Sequence, residues 1–484
     1  MSSNTVLTLS IQNLIGGAWI DGSSDEFIDV VNPSSGELIA RFPSSTEKDV
    51  DSAVHAARMA QPGWAVLTPG ERSGLLHDLV DAVRDHLEEL IELEVIDSGK
   101  PVTAARTEEF PAILDALRHF AGAARALGGQ PAGEYVAGTT TMVRREPLGV
   151  VAGITPWNYP LWQAVWKIVP ALAAGNTVVI KPAENTPLST ARFAAIAQQV
   201  LPTGVLNVIN GYGRTVGSYL AHHPGINLVS FTGSTATGRM IAQAAAEGPK
   251  RALLELGGNA PVIILDDADI EDAAETVAAA GMYNAGQECM AASRVIVSEK
   301  IADEFIAHLV VHLRNVVVGD TANEKTTLGP LISERQRARV EGLLQRRPAR
   351  ASIILGGSRP NLAGFFLEPT VVTGVEQDDE LVQEEIFGPV ITIQTFADDT
   401  EALEKANGVP FGLAGSVWTQ NVQRGMRFVN ALNFGNVWIN THLIVGPDFP
   451  IGGFNESGYG KEGGATGIEE FTRIKQIGIK HGNW

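Results

Sequence analysis

VVAGITPWNYPLWQAVWKIVPALAAGNTVVIKPAE, residues 150–184, carries a β-branched run near each end and an apolar segment with helical spacing between them. Val150 to Ile154 and Thr177 to Lys181 read as buried strands and Trp162 to Ala173 as the helix joining them, the pattern of a right-handed βαβ unit. The alternation continues outward, with strands at Leu206 to Asn210, Asn227 to Thr232 and Ala252 to Leu256 and helices at Ser189 to Val200 and Thr235 to Ala246. An α/β fold around a doubly wound, mostly parallel sheet is expected. From about Ala260 to Phe454 the alternation returns through strands at Pro261 to Leu265, Ala291 to Val297, Thr370 to Thr373 and Val390 to Gln394, which makes a second α/β domain. Upstream, Val50 to Ala60 and Glu71 to Ile96 read as amphipathic helices, the latter through Leu75, Leu79, Val83 and Leu87. Gly128 to Leu148 reads as an extended arm of the kind that pairs with another subunit.

The 484 residues are 44% hydrophobic and 19% charged, which excludes general disorder and suggests two or three domains. Lys and Arg number 36 against 55 Asp and Glu, a formal net charge of −19 that repels phosphate backbones and anionic lipid, so nucleic-acid and membrane partners are not expected. One cysteine, Cys289, excludes an intrachain disulfide and fits a reducing, cytoplasmic setting. No Lys or Arg precedes Arg41, so no targeting segment is read. The apolar stretch from Val150 to Ile180 is broken by Pro156, Asn158, Pro160, Lys167 and Pro170, and no membrane span is expected.

Three groups of residues carry possible chemistry. Glycine turns at Gly211 to Gly217 and Gly233 to Gly238 follow strands and can cradle a phosphate, or serve only as tight connections. Arg239-Met240 stands where a P-loop needs Lys-Ser/Thr, which disfavours NTP hydrolysis. Glu184, in Lys181-Pro182-Ala183-Glu184 at a strand end, is placed to accept from ribose hydroxyls and to repel a 2′-phosphate, and is equally readable as a solvated loop charge. Cys289, alone, reads as a small buried hydrophobe more readily than as a nucleophile. Two partners change that balance: Glu255, a carboxylate ending an apolar strand before Gly257-Gly258, and Asn158, an amide at another strand end. Thiol, carboxylate and amide make an acyl-transfer set. Glu288, beside the thiol, opposes thiolate formation and is read as an outward-facing helix charge. No His/Cys arrangement has metal-ligand spacing, and no metal is expected.

Over nearly its whole length the chain resembles the NAD(P)-dependent aldehyde dehydrogenase superfamily, through Pro156-Trp157-Asn158, Lys181-Pro182-Ala183-Glu184, Phe231-Thr232-Gly233-Ser234, Glu255-Leu256-Gly257-Gly258, Gly286-Gln287-Glu288-Cys289 and Glu385-Ile386-Phe387-Gly388-Pro389-Val390 in the family's order. The resemblance implies Cys289 as nucleophile, Glu255 as general base and Asn158, with the Cys289 backbone N–H, as oxyanion donor. It implies Lys181 and Glu184 on the adenosine ribose, Gly233 and Ser234 on the pyrophosphate and Glu385 and Phe387 at the nicotinamide, with Thr155, Trp157, Gly213 and Leu256 completing a site that prefers NAD to NADP. The fold implied is a Rossmann-like cofactor domain (1–127 and 148–257), a catalytic domain (258–456), a β oligomerisation arm (128–147 and 471–484) and a return to the cofactor domain (457–470). A homo-oligomer is implied, a tetramer before a dimer.

Phe120 to Arg125, Ala132 to Tyr135 and Trp438 to His442 resemble the aminobutyraldehyde and betaine-aldehyde dehydrogenases. Tyr159, Trp162 and Trp166 are expected to line the substrate tunnel, where aromatic faces can hold an ammonium or wall a hydrophobic aldehyde. Asp448 is read as an amine partner or a solvated acid, and Ile451 and Asn455 depart from the usual aromatic or His and Lys near the tunnel mouth. An ω-aminoaldehyde such as 4-aminobutanal is the expected substrate and an aromatic or aliphatic aldehyde the alternative. A CoA-acylating semialdehyde dehydrogenase is disfavoured by Glu255, and a non-catalytic protein on the same fold by the presence of Cys289 and Asn158.

Overall fold

The computed structural model describes residues 11–481. Five parallel strands, Val150–Ile154, Thr177–Lys181, Leu206–Val208, Leu228–Thr232 and Arg251–Glu255, form the centre of an eight-stranded sheet. Asn13–Ile15 and Ala18–Ile20 extend one edge, and Gly458–Tyr459 returns antiparallel at the other. Val150–Ile154 and Thr177–Lys181 are buried at every position, as a parallel sheet covered on both faces requires. Their alternation splits them between two cores: Val151, Val178 and Ile180 pack with helices Pro69–Asp85, Phe110–Ala123 and Pro160–Ala173, while Val150, Ala152 and Val179 pack with Val50, Val54 and Ile241 on the opposite face.

The second sheet has seven strands in the order Ser352–Leu355, Thr370–Thr373, Val390–Phe396, Arg294–Ser298, Pro261–Ile264, Ala414–Trp418 and Asn436–Ile439, parallel except for the first. A third sheet pairs Thr472–Lys480 with Thr139–Pro147 and Gly133–Val136 in an arm. Residues 1–10 and 482–484 of the expected cofactor domain and arm lie outside the described residues.

Two expectations need correction. Glu71 to Ile96 is two helices, Pro69–Asp85 and Leu87–Ser98, because His86 leaves helical geometry at φ −115° and ψ 18° and donates its N–H to the Val83 carbonyl. The buried stripe is Leu76, Leu79, Val80 and Val83 rather than a strict four-residue row. The strand expected from Ala291 begins only at Arg294, since Met290 to Ser293 are bent into tight turns.

Candidate active site

The strand from Val150 lies between those from Thr177 and Leu228, so chain order reverses there and the carboxyl ends of the strands open a crevice. Asn158 follows one strand end, Gly233 and Ser234 follow the next, and Glu255 closes a third, paired in register with Thr232. Beyond Glu255 the chain crosses to the second sheet through Gly257 and Gly258. A Cβ on Gly257 would stand 2.4 Å from a Glu385 carboxylate oxygen, and one on Gly258 would stand 2.1 Å from the Cys289 carbonyl. The two glycines thus let the strand end, Glu385 and the Cys289 turn meet at one point.

That turn is wound left-handed. Asn284, Ala285 and Gly286 have φ of 49°, 56° and 67°, and the two with side chains cost about 1–3 kcal/mol each unless their surroundings hold them. Buried amides supply the hold. Asn284 Nδ2 donates to the Asn158 and Gln287 carbonyls at 2.9 and 3.2 Å, and Asn158 Nδ2 donates to the Gln287 carbonyl at 3.0 Å. Gln287 Nε2 donates to the Asn284 carbonyl at 3.1 Å, and Gln287 Oε1 accepts from the Ile332 N–H at 2.8 Å. Neither Asn284 nor Gln287 was singled out from the sequence.

His442 holds the other side of the turn. Its Nε2 donates to the Met290 carbonyl at 2.7 Å and its Nδ1 meets Ser416 Oγ at 2.8 Å. Burial pushes the imidazole down to about 4, so it is neutral and able to serve both contacts. A histidine whose folded value lies below its ordinary one favours the native state above the ordinary value, and that contribution is lost as pH falls from about 6.5 to about 4. Wild-type thermal midpoint is therefore expected to fall more than that of His442→Asn between pH 7 and pH 4.5, by the equivalent of roughly 3 kcal/mol at most. Equal falls would separate the acid sensitivity from this ring.

Glu288 corrects the sequence reading. It is buried, and its Oε1 accepts from Cys289 Sγ at 3.3 Å and from the Met290 N–H at 3.0 Å. The segment is not helical here: a turn from the Ala291 N–H to the Glu288 carbonyl folds the side chain back onto the thiol. Burial and the facing carboxylates of Glu288, Glu385 and Glu255 hold the thiol well above its ordinary range.

Glu255 is buried with Oε1 unpartnered among the described residues, and burial, followed by the nearby Glu462, raises its carboxyl well above the usual range. Lys167 is fully buried beneath it in Pro160–Ala173, donating to Glu462 at 2.7 Å and Thr232 Oγ1 at 2.6 Å. Burial pushes Glu385 up to about 7, against the lowering effect of the Gly258 N–H at 2.9 Å.

The profile of the aldehyde dehydrogenase family matches residues 19–477. The chain belongs to the aldehyde dehydrogenase family. It is thus an oxidoreductase acting on aldehydes with a nicotinamide cofactor. An aldehyde dehydrogenase of Emericella nidulans is 42% identical over 473 residues, covering 97% of this chain and 95% of that protein. The phenylacetaldehyde dehydrogenase of Pseudomonas fluorescens is 40% identical over 98% of this chain and 97% of its own. A crystal structure of betaine aldehyde dehydrogenase from Staphylococcus aureus in complex with NAD+ superposes with a TM-score of 0.95 at 37% identity, covering 98% of this chain and 96% of that one.

In this aldehyde dehydrogenase a cavity of about 700 Å³ runs between the sheets. Cys289, Glu255 and Asn158 line it together, as do Trp157, Gly233, Ser234, Leu256, Glu385 and Phe387 on one side and Tyr159, Trp162, Trp166 and Ile451 on the other. Thr155, Lys181, Glu184 and Gly213 stand outside its lining. Asp448 does too: exposed, it faces His119 Nδ1 at 3.3 Å. Asn455 is likewise outside. Glu108, Glu109, Tyr283 and Arg339, none of them singled out from the sequence, also line the cavity.

The groups on the cofactor side fit a dinucleotide. Ser234 caps the helix Thr235–Glu247, whose N-terminus suits an anionic pyrophosphate. The Lys181 ammonium is buried, donating to the Pro182 carbonyl at 2.9 Å and lying 3.5 Å from Glu184, and the buried Thr155 Oγ1 has no partner among the described residues. Trp157 and Phe387 meet edge to face at 5.3 Å, with Phe387 at a strained φ of 55°. Among the described residues no cluster of His, Cys, Asp or Glu could hold a metal ion.

Proposed function

We propose that this enzyme oxidises a cationic ω-aminoaldehyde to the amino acid with NAD, using Cys289 as nucleophile, Asn158 as oxyanion donor and Glu255 as the base for hydrolysis. The convergence of those three side chains on one cavity wall supports this reading. The Cys289 thiolate attacks the aldehyde carbon; a C–S bond forms and the carbonyl oxygen becomes an alkoxide. One N–H of the Asn158 amide is spent on the Gln287 carbonyl, and the second, with the Cys289 backbone N–H, receives the alkoxide. When bound, NAD supplies the two-electron acceptor for the aldehyde hydrogen. Collapse of the alkoxide leaves a thioester on Sγ. Glu255 then takes a proton from water, hydroxide adds to the thioester carbon, and the acid departs as the thiolate returns. Lys181 and Glu184 would hold the adenosine ribose, Gly213, Gly233 and Ser234 the pyrophosphate region, and Thr155, Trp157, Leu256, Glu385 and Phe387 the nicotinamide half, with the Glu184 carboxylate disfavouring NADP.

The charge on the wall supports the substrate class. Glu108, Glu109, Glu255, Glu288, Glu385 and Glu462 line the cavity; Lys100 pairs with Glu109, Lys167 with Glu462, burial raises Glu255 and Glu385, and Arg339 faces the Glu384 carboxylate at 3.8 Å, which leaves Glu108 and Glu288 as the remaining carboxylates of this wall, without a salt bridge among the described residues. Such a wall attracts an ammonium and repels an anionic semialdehyde. Tyr159 already carries the Lys100 ammonium 4.2 Å from its ring centre, so the carboxylates, with the stacked Trp162 and Trp166, recognise the amine. Comparison of kcat/KM for 4-aminobutanal, betaine aldehyde, phenylacetaldehyde and hexanal, with NAD and NADP in parallel, tests the reading. 4-Aminobutanal is expected to lead hexanal by about tenfold, and Glu108→Gln to shrink that lead by about fivefold through KM, the worth of one partly exposed charge pair. Hexanal ahead by tenfold would remove the amine reading. An aromatic aldehyde is the second reading, favoured by the Trp162–Trp166 stack at 6.0 Å and the phenylacetaldehyde dehydrogenase relative.

The arm belongs to the same proposal. Its three strands expose Tyr135, Val136, Ile474 and Ile479, an apolar surface suited to another subunit of a tetramer in a reducing cytoplasm.

A further inference from the structure

The carboxylate of Glu288 has no part in the chemistry derived so far, yet it touches the reacting sulfur. Its Oε1 is fixed by the Met290 N–H at 3.0 Å and accepts the thiol hydrogen at 3.3 Å, so it cannot swing away without giving up a buried hydrogen bond. Its other neighbours give it no positive charge: Tyr159 and Tyr283 are neutral phenols, and the cavity wall otherwise presents Glu109, Glu255 and Glu385. The Lys100 ammonium is bound to Glu109 and lies over the Tyr159 ring, and Arg339 donates to the Glu385 and Ile386 backbone carbonyls with the Glu384 carboxylate 3.8 Å away.

We infer that Glu288 is a specificity-determining residue that makes ionisation of the Cys289 thiol depend on positive charge arriving in the substrate half of the cavity. With the cavity free of cations, the carboxylate retains the S–H hydrogen and its charge opposes a thiolate 3.3 Å away. An ammonium entering beside Glu288 offsets that charge. The S–H bond then breaks, the proton leaves to cavity water, and the electron pair stays on sulfur for attack on the aldehyde carbon of the same molecule. A neutral aldehyde brings no such charge and meets a protonated sulfur more often. Recognition of the amine is in this way converted into reactivity rather than binding alone, so discrimination appears in kcat as well as KM. The thiol is held above its ordinary range by burial and by the facing carboxylates, Glu288 first among them, in agreement with this arrangement. The inference rests on the aminoaldehyde reading, and its test separates the two.

Because Cys289 is the only cysteine, thiolate absorbance near 240 nm, taken as the difference from Cys289→Ala, titrates this one group in the full-length protein. Glu288→Gln keeps an acceptor for the Met290 N–H and removes the charge; its thiol is expected to titrate at lower pH, with at least about tenfold more thiolate at pH 7. Butylammonium, an unreactive cation, is expected to raise the thiolate fraction of the wild type and to leave Glu288→Gln unchanged, while butanol changes neither. The wild-type arm requires no substitution and so survives a variant that fails to fold. An unchanged or upward-shifted titration in Glu288→Gln, or a butylammonium effect of equal size in both proteins, overturns the inference; so does a wild type indifferent to butylammonium. If 4-aminobutanal leads the aldehyde panel while butylammonium leaves the thiol unmoved, the substrate reading stands and this inference falls. If the cation ionises the thiol while hexanal leads the panel, the reverse holds.

Discussion

Cys289→Ala is expected to abolish aldehyde-dependent NADH formation at 340 nm, by about 10⁴-fold or more, while NAD binding and the thermal midpoint change little. The size follows from the proposed route: without sulfur it has no C–S bond, no alkoxide for Asn158 to stabilise and no thioester, so removing this group removes a covalent pathway and not one increment of binding. The chain offers no substitute, since it holds a single cysteine. The structural cost is small, because the sulfur is only partly buried and its one hydrogen bond among the described residues is to Glu288. The variant also separates the competing functions. A non-catalytic protein on this fold would be indifferent to the change, and a CoA-acylating enzyme would form NADH in the wild type only after CoA is added. Residual NADH formation above about 1% of wild type would disqualify the thiol as nucleophile.

The fold was legible because its signal is local. Val150 to Lys181 alternates a buried strand, an apolar helix and another buried strand within about one βαβ length, and the strand ends that carry Asn158, Lys181 and Glu255 follow from that register alone. What stayed hidden depends on contacts distant in sequence. Glu288 reads as a surface charge until the turn built by Asn158, Asn284 and Gln287 folds it onto the thiol; Asn158 is more than a hundred residues from the other two. Lys167 was visible only as a break in an apolar run, although a lysine inside a helix that apolar needs a buried acid, and Glu462 supplies it from the far end of the chain. Asp448, read as an amine partner or a solvated acid, is the exposed acid and faces His119, while Glu108, on the helical segment before Phe110, lines the cavity instead. Periodicity reports which face of an element is apolar. It does not report which polar group on another element will be opposite.

Glu255→Gln is expected to separate the two halves of the reaction: one equivalent of NADH per active site appears rapidly, then turnover falls by about 10³-fold. On the proposed route, thiol attack and loss of the aldehyde hydrogen do not call on this carboxylate, so the first equivalent forms; release of the thioester does, since water near an amide is a poor nucleophile and a positioned base contributes about 10²–10⁴-fold. The stalled protein carries the acyl group on Cys289, and its intact mass rises by the acyl increment. Hydroxylamine, which attacks thioesters without a base, is expected to release that group as the hydroxamate and restore a second burst, a rescue that a merely misfolded variant could not give. The pH dependence has a defined sign. Burial and Glu462 raise the Glu255 carboxyl above its ordinary range, so the protonated, inactive form persists to higher pH, and wild-type hydrolysis climbs as pH rises through the raised value. The rise in kcat on the acid side is expected to vanish in Glu255→Gln. Full steady-state turnover by the variant without added nucleophile would move the hydrolytic base elsewhere on the cavity wall. Equal loss of burst and steady state would instead place Glu255 in the attack step, where the proton at issue is that of the thiol.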